Sequence, residues 1–243
     1  MDAPRISLVV PAYNEAQSLP ALFESIDVAR ARYAGGAAGI EVVVADNAST
    51  DSTAALARAA GCRVVHVAKR SIAAARNGGA AAARGRVVAF VDADSRIHPD
   101  TFDTIDRTLT DRAVVGVTGV RMSRSSLGIR VSTLVIDAIS RINRVGTGVV
   151  FCRRADWVAV GGYDESRLFG EDLQFLVALK RLGRARGQRF ARARNAVAIS
   201  SARKFDRHGD WHIFTALARS ARWWLTDRAA IERFARRYWY EDR

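Results

Sequence analysis

Lysine is scarce in this strongly basic chain: of 38 Lys and Arg residues, against 25 Asp and Glu, only Lys69, Lys180 and Lys204 are lysines. Cysteine is scarcer still. Cys62 and Cys152 are the only two, too few for a disulfide framework or a cysteine metal site, and a reducing compartment, the cytoplasm, is expected. No apolar run approaches the roughly 20 residues that span a bilayer. The stretch Met1 to Pro11 has no basic region ahead of an apolar segment, so no signal peptide is expected. What remains is an ordinary globular composition, 49% hydrophobic and 26% charged, long enough to bury a core. The net charge of +13 leaves nucleic acid, an anionic membrane surface and phosphorylated substrates open as partners. A drift toward Arg and Ala explains it equally well.

The first half alternates short β-branched runs with helical spacing, the pattern of βαβ units and a mostly parallel sheet. Ile6 to Val10 predicts a buried strand stopped by Pro11. Asn14 is expected to cap a helix carrying Leu19, Leu22, Phe23, Ile26 and Ala29. Further strands are expected at 40–45, 63–67 and 87–91, with helices at 54–60 and 72–84 between them. The second half predicts strands at 114–120 and 148–153 and helices around Val131 to Ile142, Ala155 to Val160 and Glu171 to Leu182. One domain over residues 1–205 is expected, its donor half ending near 95 and its acceptor half covering 96–205, followed by a basic, Trp-rich helical tail at 206–243.

Polar residues follow three of these strands: Tyr13-Asn14-Glu15, Asp46-Asn47 and Asp92-Ala93-Asp94. In an open α/β sheet that edge is where ligands bind. Alternation along a strand turns Ala93 one way and both aspartates the other. Two carboxylates side by side repel unless a cation lies between them. Mg²⁺ or Mn²⁺, shared with a diphosphate, would meet that need. The plainer reading is a solvated turn in which Asp94 or Ser95 caps the next helix.

Val10-Pro11-Ala12-Tyr13-Asn14-Glu15, Asp46 to Asp51, Asp92-Ala93-Asp94 and Gly170-Glu171-Asp172 stand in an order that resembles the inverting glycosyltransferases of family 2. Gly146-Thr147-Gly148 and Gly161-Gly162-Tyr163-Asp164-Glu165 resemble that family's acceptor-side segment. The resemblance spans roughly residues 4 to 205 and implies an α/β fold of the GT-A type, Rossmann-like, with a UDP- or GDP-sugar donor and a divalent metal. It implies that Pro11, Tyr13 and Glu15 line the nucleoside pocket, Tyr13 stacking on the base and Glu15 or its neighbours reaching the ribose. Asp46 would accept from a ring N–H of the base. Arg76 would face the nucleotide, with Gly78-Gly79 letting its helix approach the ligand. Asp172 would be the general base and Glu171 its neighbour at the acceptor. Arg203, within Ser200-Ser201-Ala202-Arg203-Lys204-Phe205, would neutralise the departing diphosphate, and His208 is a candidate third metal ligand beside Asp92 and Asp94.

The Gln-x-x-Arg-Trp motif of the family's membrane-bound synthases is missing, so a processive synthase is not expected. A hydroxyl acceptor is the first expectation and a lipid-linked one, loaded at the inner face of a membrane, the second. A non-catalytic sugar-nucleotide binder stands as a third. Trp211, Ile213, Phe214, Leu217, Trp224 and Leu225, interleaved with Arg219 and Arg222, make the tail amphipathic. Such a tail either closes the core or rests on an anionic bilayer. A nucleic-acid-binding module is disfavoured, because Asp92, Asp94 and Asp172 would repel phosphate. Oligomeric state is not written in these patterns.

Overall fold

The computed structural model describes residues 3–142, 148–167, 170–211 and 214. The first half runs β1 (Ile6–Ala12), α1 (Leu19–Arg32), β2 (Ile40–Asp46), α2 (Thr53–Ala59), β3 (Arg63–His66), α3 (Ile72–Ala82) and β4 (Val87–Phe90). The second half runs β5 (Ser95–Arg96), α4 (Thr101–Thr108), β6 (Ala113–Met122), α5 (Leu127–Ile142), β7 (Val150–Arg153), α6 (Arg154–Ala159), α7 (Glu171–Ala185), β8 (Arg189–Ser200) and α8 (Arg203–His208). All eight strands form one sheet in the order β3-β2-β1-β4-β7-β6-β8-β5. β1 to β4 pair in parallel, and antiparallel β7 links them to β6 and β8.

Alternation along β1 feeds two cores. Leu8 and Val10 face Leu19, Leu22 and Ile26 of α1 and Phe102 and Ile105 of α4. Val9 faces Ala73 and Ala80 of α3, in a cluster that continues to Phe175, Leu176 and Leu179 of α7. The chain leaves β1 toward β2 on one side and returns through β4 on the other, so the strand order reverses at β1. A crevice opens at the carboxyl edge there.

Three expectations need correction. β1 does not stop at Pro11 but continues to Ala12, with Pro11 opposite Ala45. Proline is tolerated because Val9 bonds toward β4, as the Val91 N–H to Val9 carbonyl contact shows. Two residues on, the missing N–H of Pro11 points the same way, past the end of β4, so no ladder bond is lost. Asn14 caps nothing: α1 starts after Ser18, while Asn14 adopts a φ of 50° and turns its side chain to the neighbouring loop. Ser95 and Asp94 cap no helix either, since Ser95–Arg96 pairs with β8 and the next helix starts after Asp100. The tail lies outside the described residues apart from its first six residues and Phe214, as do Gly146 and Thr147 of the acceptor-side motif. Among the described residues no helix is long and apolar enough to cross a membrane.

Candidate active site

At the carboxyl edge the ends of β1 and β2 are stitched together. The N–H of Asn14 donates to Ser49 Oγ at 3.1 Å, and Asn14 Oδ1 accepts from the Thr50 N–H at 2.8 Å. Glu15 N–H donates to Thr53 Oγ1 at 2.8 Å and Ala16 N–H to Asp51 at 3.1 Å. Asp51 also takes the Thr53 N–H at 2.9 Å, the local role its place before α2 predicts. These bonds fix Tyr13, half-buried, beside buried Asp46. Asp46 Oδ1 accepts the Ser49 N–H at 3.1 Å, and its Oδ2 lies 3.4 Å from His66 Nδ1. The face of Tyr13 is covered by the guanidinium of Arg70, 4.0 Å from the ring centroid.

The second cluster is organised by Arg76. This buried side chain projects from α3, donating Nη1 to Glu171 at 3.0 Å and to Asp172 at 2.7 Å, and Nη2 to Asp92 at 3.1 Å. Of the two acids that flank Ala93, Asp92 thus meets Arg76, while Asp94 lies 3.8 Å from Arg203. Gly78 and Gly79 do not bring α3 to the ligand; they bring it to the sheet. A Cβ on Gly79 would stand 2.4 Å from Val9 Cγ1, and one on Gly78 would stand 2.6 Å from Val67 Cγ2, so α3 sits low enough for Arg76 to reach the strand ends.

Glu171 and Asp172 occupy the first turn of α7, where the helix dipole favours acids. Gly170, at φ 75°, precedes them. Asp172 is recessed among protein atoms with its side chain 45% exposed. Loss of solvent pushes its carboxyl up to about 6, the negative charges of Glu171 and Asp92 add to the rise, and Arg76 opposes it. It is thus mostly ionised at neutral pH and able to take a proton.

Asp92 and Asp94 flank buried Ala93 past the end of β4, in a turn closed by the Ser95 N–H to Asp92 carbonyl bond at 3.1 Å, so the turn and not strand alternation sets their directions. Arg203, opening α8, is the second organising cation. It grips buried Glu15 through Nη2 at 2.9 Å and Nη1 at 3.3 Å, and lies 3.8 Å from Asp94. Glu15 therefore meets Arg203 in this structure. Among the described residues, five carboxylates (Glu15, Asp92, Asp94, Glu171 and Asp172) face the two guanidiniums of Arg76 and Arg203. That acid excess, with only oxygen donors, fits a hard divalent cation that keeps water and shares a diphosphate. It does not fit an all-protein cage: among the described residues no three acids, histidines or cysteines group to hold a metal. His208, exposed on α8, does not complete such a set with Asp92 and Asp94 here.

Several neighbours were assigned no individual role from the sequence, although Asn47 and Tyr163 stood within its motifs. Asn77 donates Nδ2 to the Tyr163 carbonyl at 2.8 Å and to Glu165 at 3.0 Å, and its Oδ1 accepts the Tyr163 N–H at 2.8 Å. It fixes the segment after Gly162, where φ is 70° and a Cβ would meet Asn77 Oδ1 at 2.5 Å. Tyr163 stacks on Phe175 at 4.2 Å beneath Arg76. Asn47 donates to the Val67 and Lys69 carbonyls at 3.0 and 2.6 Å and accepts the Ser71 N–H at 3.0 Å, shaping the loop before α3. The available signal was adjacency: each asparagine directly follows a residue already singled out, Asp46 or Arg76.

Known proteins resemble the chain in sequence and in fold. The sequence model of glycosyl transferase family 2 matches residues 7–155, more than half of the chain. Succinoglycan biosynthesis protein ExoO of Rhizobium meliloti is 39% identical over 101 residues, covering 40% of this chain and 27% of that protein. An uncharacterized glycosyltransferase of Mycobacterium bovis, Mb0553, is 32% identical over 136 residues, 54% of this chain and 57% of that protein. The matches thus span less than two thirds of these relatives' own length. Mannosyltransferase PcManGT from Pyrobaculum calidifontis, in complex with GDP-Man and Mn²⁺, has a TM-score of 0.64 at 20% identity, covering 82% of this chain and 57% of that one. Glucosyl-3-phosphoglycerate synthase from Mycobacterium tuberculosis, with Mn²⁺, UDP and its product, gives 0.58 at 22% identity over 81% and 72%. At such identities the likeness carries the fold, a mixed α/β sheet of the GT-A type. By sequence and by fold, the chain belongs to glycosyltransferase family 2.

Proposed function

We propose that the chain is an inverting glycosyltransferase that moves a sugar from a UDP- or GDP-sugar to an acceptor hydroxyl. The observation that carries this reading is the Arg76 cluster, which joins the Asp92 strand end to the two acids of α7. Pro11, Tyr13 and Asp46 hold the nucleoside, with Asp46 accepting from the base. Asp92 and Asp94 would hold Mg²⁺ or Mn²⁺, with His208 of α8 as the candidate third ligand. When bound, that ion supplies positive charge to the departing diphosphate. Arg203 adds a guanidinium on the same side. Asp172 Oδ removes the acceptor hydroxyl proton as the oxygen attacks the anomeric carbon from the face opposite the diphosphate. Inversion follows from that geometry. Glu171 orients the acceptor, and Arg76 keeps Asp172 in place and ionised.

A lipid-linked acceptor at the membrane surface is the second reading. It is favoured by Leu127, Leu134 and Trp211, large apolar side chains exposed on and near α5. Co-sedimentation with anionic liposomes, reversed by salt as charges are screened, distinguishes the two.

The primary test is a thermal-shift screen of UDP- and GDP-sugars with and without Mn²⁺. A ligand at a hundred times its Kd stabilises the native state by about 2.7 kcal/mol. One base series should raise Tm, and chelator should remove the gain. No shift with any nucleotide-sugar would overturn the proposal. Stabilisation without turnover on any hydroxyl or lipid phosphate acceptor would leave a non-catalytic binder.

A further inference from the structure

Arg70 is exposed, yet its position is fixed by an unusual amount of structure. Asn47 holds the carbonyl of Lys69 on one side at 2.6 Å and the N–H of Ser71 on the other at 3.0 Å. Lys69 is itself tied to Glu165 at 3.1 Å. With both flanking residues pinned, the arm of Arg70 falls across Tyr13, its guanidinium 4.0 Å above the ring. The ring in question stands at the end of β1, one residue past the Ala12 and Asp46 pairing. A guanidinium and a nucleobase are both flat, weakly hydrated on their faces, and good partners for tyrosine. The side chain therefore occupies the surface where a base would stack.

We propose that Arg70 is a donor-binding residue that forms the outer wall of the base pocket, so that the bound base lies between Tyr13 and the guanidinium. The proposal rests on the nucleotide-sugar reading above. In the nucleotide-free chain the arginine closes the stack by itself. Entry of a base needs one extra layer, about 3.5 to 4 Å, within reach of an exposed arm with several rotatable bonds. Because every base has a π face, Arg70 adds affinity without choosing the base. That choice falls to Asp46, which pairs with Ala12, the residue before Tyr13, at the same sheet edge.

The contribution must then be independent of the phosphates. Calorimetric titration of uridine, UMP and UDP, and of the guanosine counterparts, in Mg²⁺ separates the possibilities. In the series the wild-type chain binds, Arg70→Ala should weaken the monophosphate and the diphosphate by the same factor, about five- to thirtyfold. Arg70→Lys, which keeps the charge and loses the flat face, should recover less than half of that loss on a logarithmic scale. In a Tyr13→Leu background the Arg70→Ala loss should shrink, because the sandwich is already open. A loss confined to the diphosphate would make Arg70 a phosphate ligand and overturn the proposal, as would unchanged affinity throughout. Binding of neither series by the wild-type chain would instead overturn the donor reading, and this assignment with it. Should the alanine variant misfold, the lysine variant carries the same comparison.

Discussion

Removing Arg76 tests the central feature of the site, the buried cation shared by three acids. Arg76→Met keeps length and apolar bulk and deletes the charge. Breaking a buried ion pair from one side costs about 3–5 kcal/mol, mostly because the abandoned partner stays out of water. Here the three partners are unequal: Asp92 and Asp172 have side chains 53% and 45% exposed, whereas Glu171 is 11% exposed. Asp92, the most exposed, recovers hydration most readily, so the loss is set chiefly by Glu171 and should fall near the lower bound, about 3 kcal/mol. Urea denaturation measures it. The pH dependence supplies a sharper check. Asp172 already titrates near 6 in the folded chain, above its ordinary value, with Arg76 holding it down. A carboxyl whose folded pKa is raised favours the native state below its ordinary range, and that advantage is lost as pH rises through the folded value. Without Arg76 the folded value climbs further, so the deficit should be larger at pH 8 than at pH 5. The acid limb of kcat/KM should likewise move upward from about 6. Adding Glu171→Gln should return part of the stability, since both partners of the most buried pair are then neutral. A deficit below about 1 kcal/mol, or one equal at the two pH values, would refute the account.

Asp172→Asn should lower turnover by about a hundred- to ten-thousandfold and leave donor Kd nearly unchanged; full turnover in a folded variant would remove Asp172 from the base role. Glu171→Gln should act mainly on acceptor KM and move the acid limb of the profile downward, because a negative neighbour of Asp172 is gone. Asp94→Ala should abolish the dependence of nucleoside diphosphate affinity on Mg²⁺ or Mn²⁺, and calorimetry with excess chelator checks it. Asn77→Ala should raise acceptor KM more than donor KM, because its three bonds go to Tyr163 and Glu165; steady-state kinetics with each substrate varied decides the point.

The parallel half of the sheet was legible because hydrophobic runs, turn residues and helical spacing agree with one another there. β8 was not. Its sequence, Arg-Phe-Ala-Arg-Ala-Arg-Asn-Ala-Val-Ala-Ile-Ser, places Ala193, Ala196 and Ala198 in the core, and alanine has little strand preference while arginine marks no core face. β5 and α4 were missed for a related reason: a two-residue strand has no period, and α4, Thr-Phe-Asp-Thr-Ile-Asp-Arg-Thr, carries only Phe102 and Ile105 as apolar markers over its two turns. Motif residues were read correctly as lying along one edge. Their partners were not readable, because Arg76 lies 95 residues from Glu171 and Arg203 lies 188 from Glu15, and no local pattern encodes which acid a distant guanidinium meets.

The same pairings reverse the meaning of the chain's charge. A net +13 invites a phosphate-binding groove lined with arginine, yet among the described residues five carboxylates gather around Arg76 and Arg203. A nucleic-acid backbone laid over those acids would meet repulsion. A diphosphate alone would meet it too. A divalent ion accompanying the diphosphate would change the sign of that interaction, with Asp92 and Asp94 as the residues to hold it. The ion pairs of the free chain then act as exchangeable placeholders: each neutralises an acid that a ligand group would otherwise have to neutralise. Ligand entry would then swap one set of charge contacts for another, provided that Arg203 stays on buried Glu15 so that no buried carboxylate is abandoned.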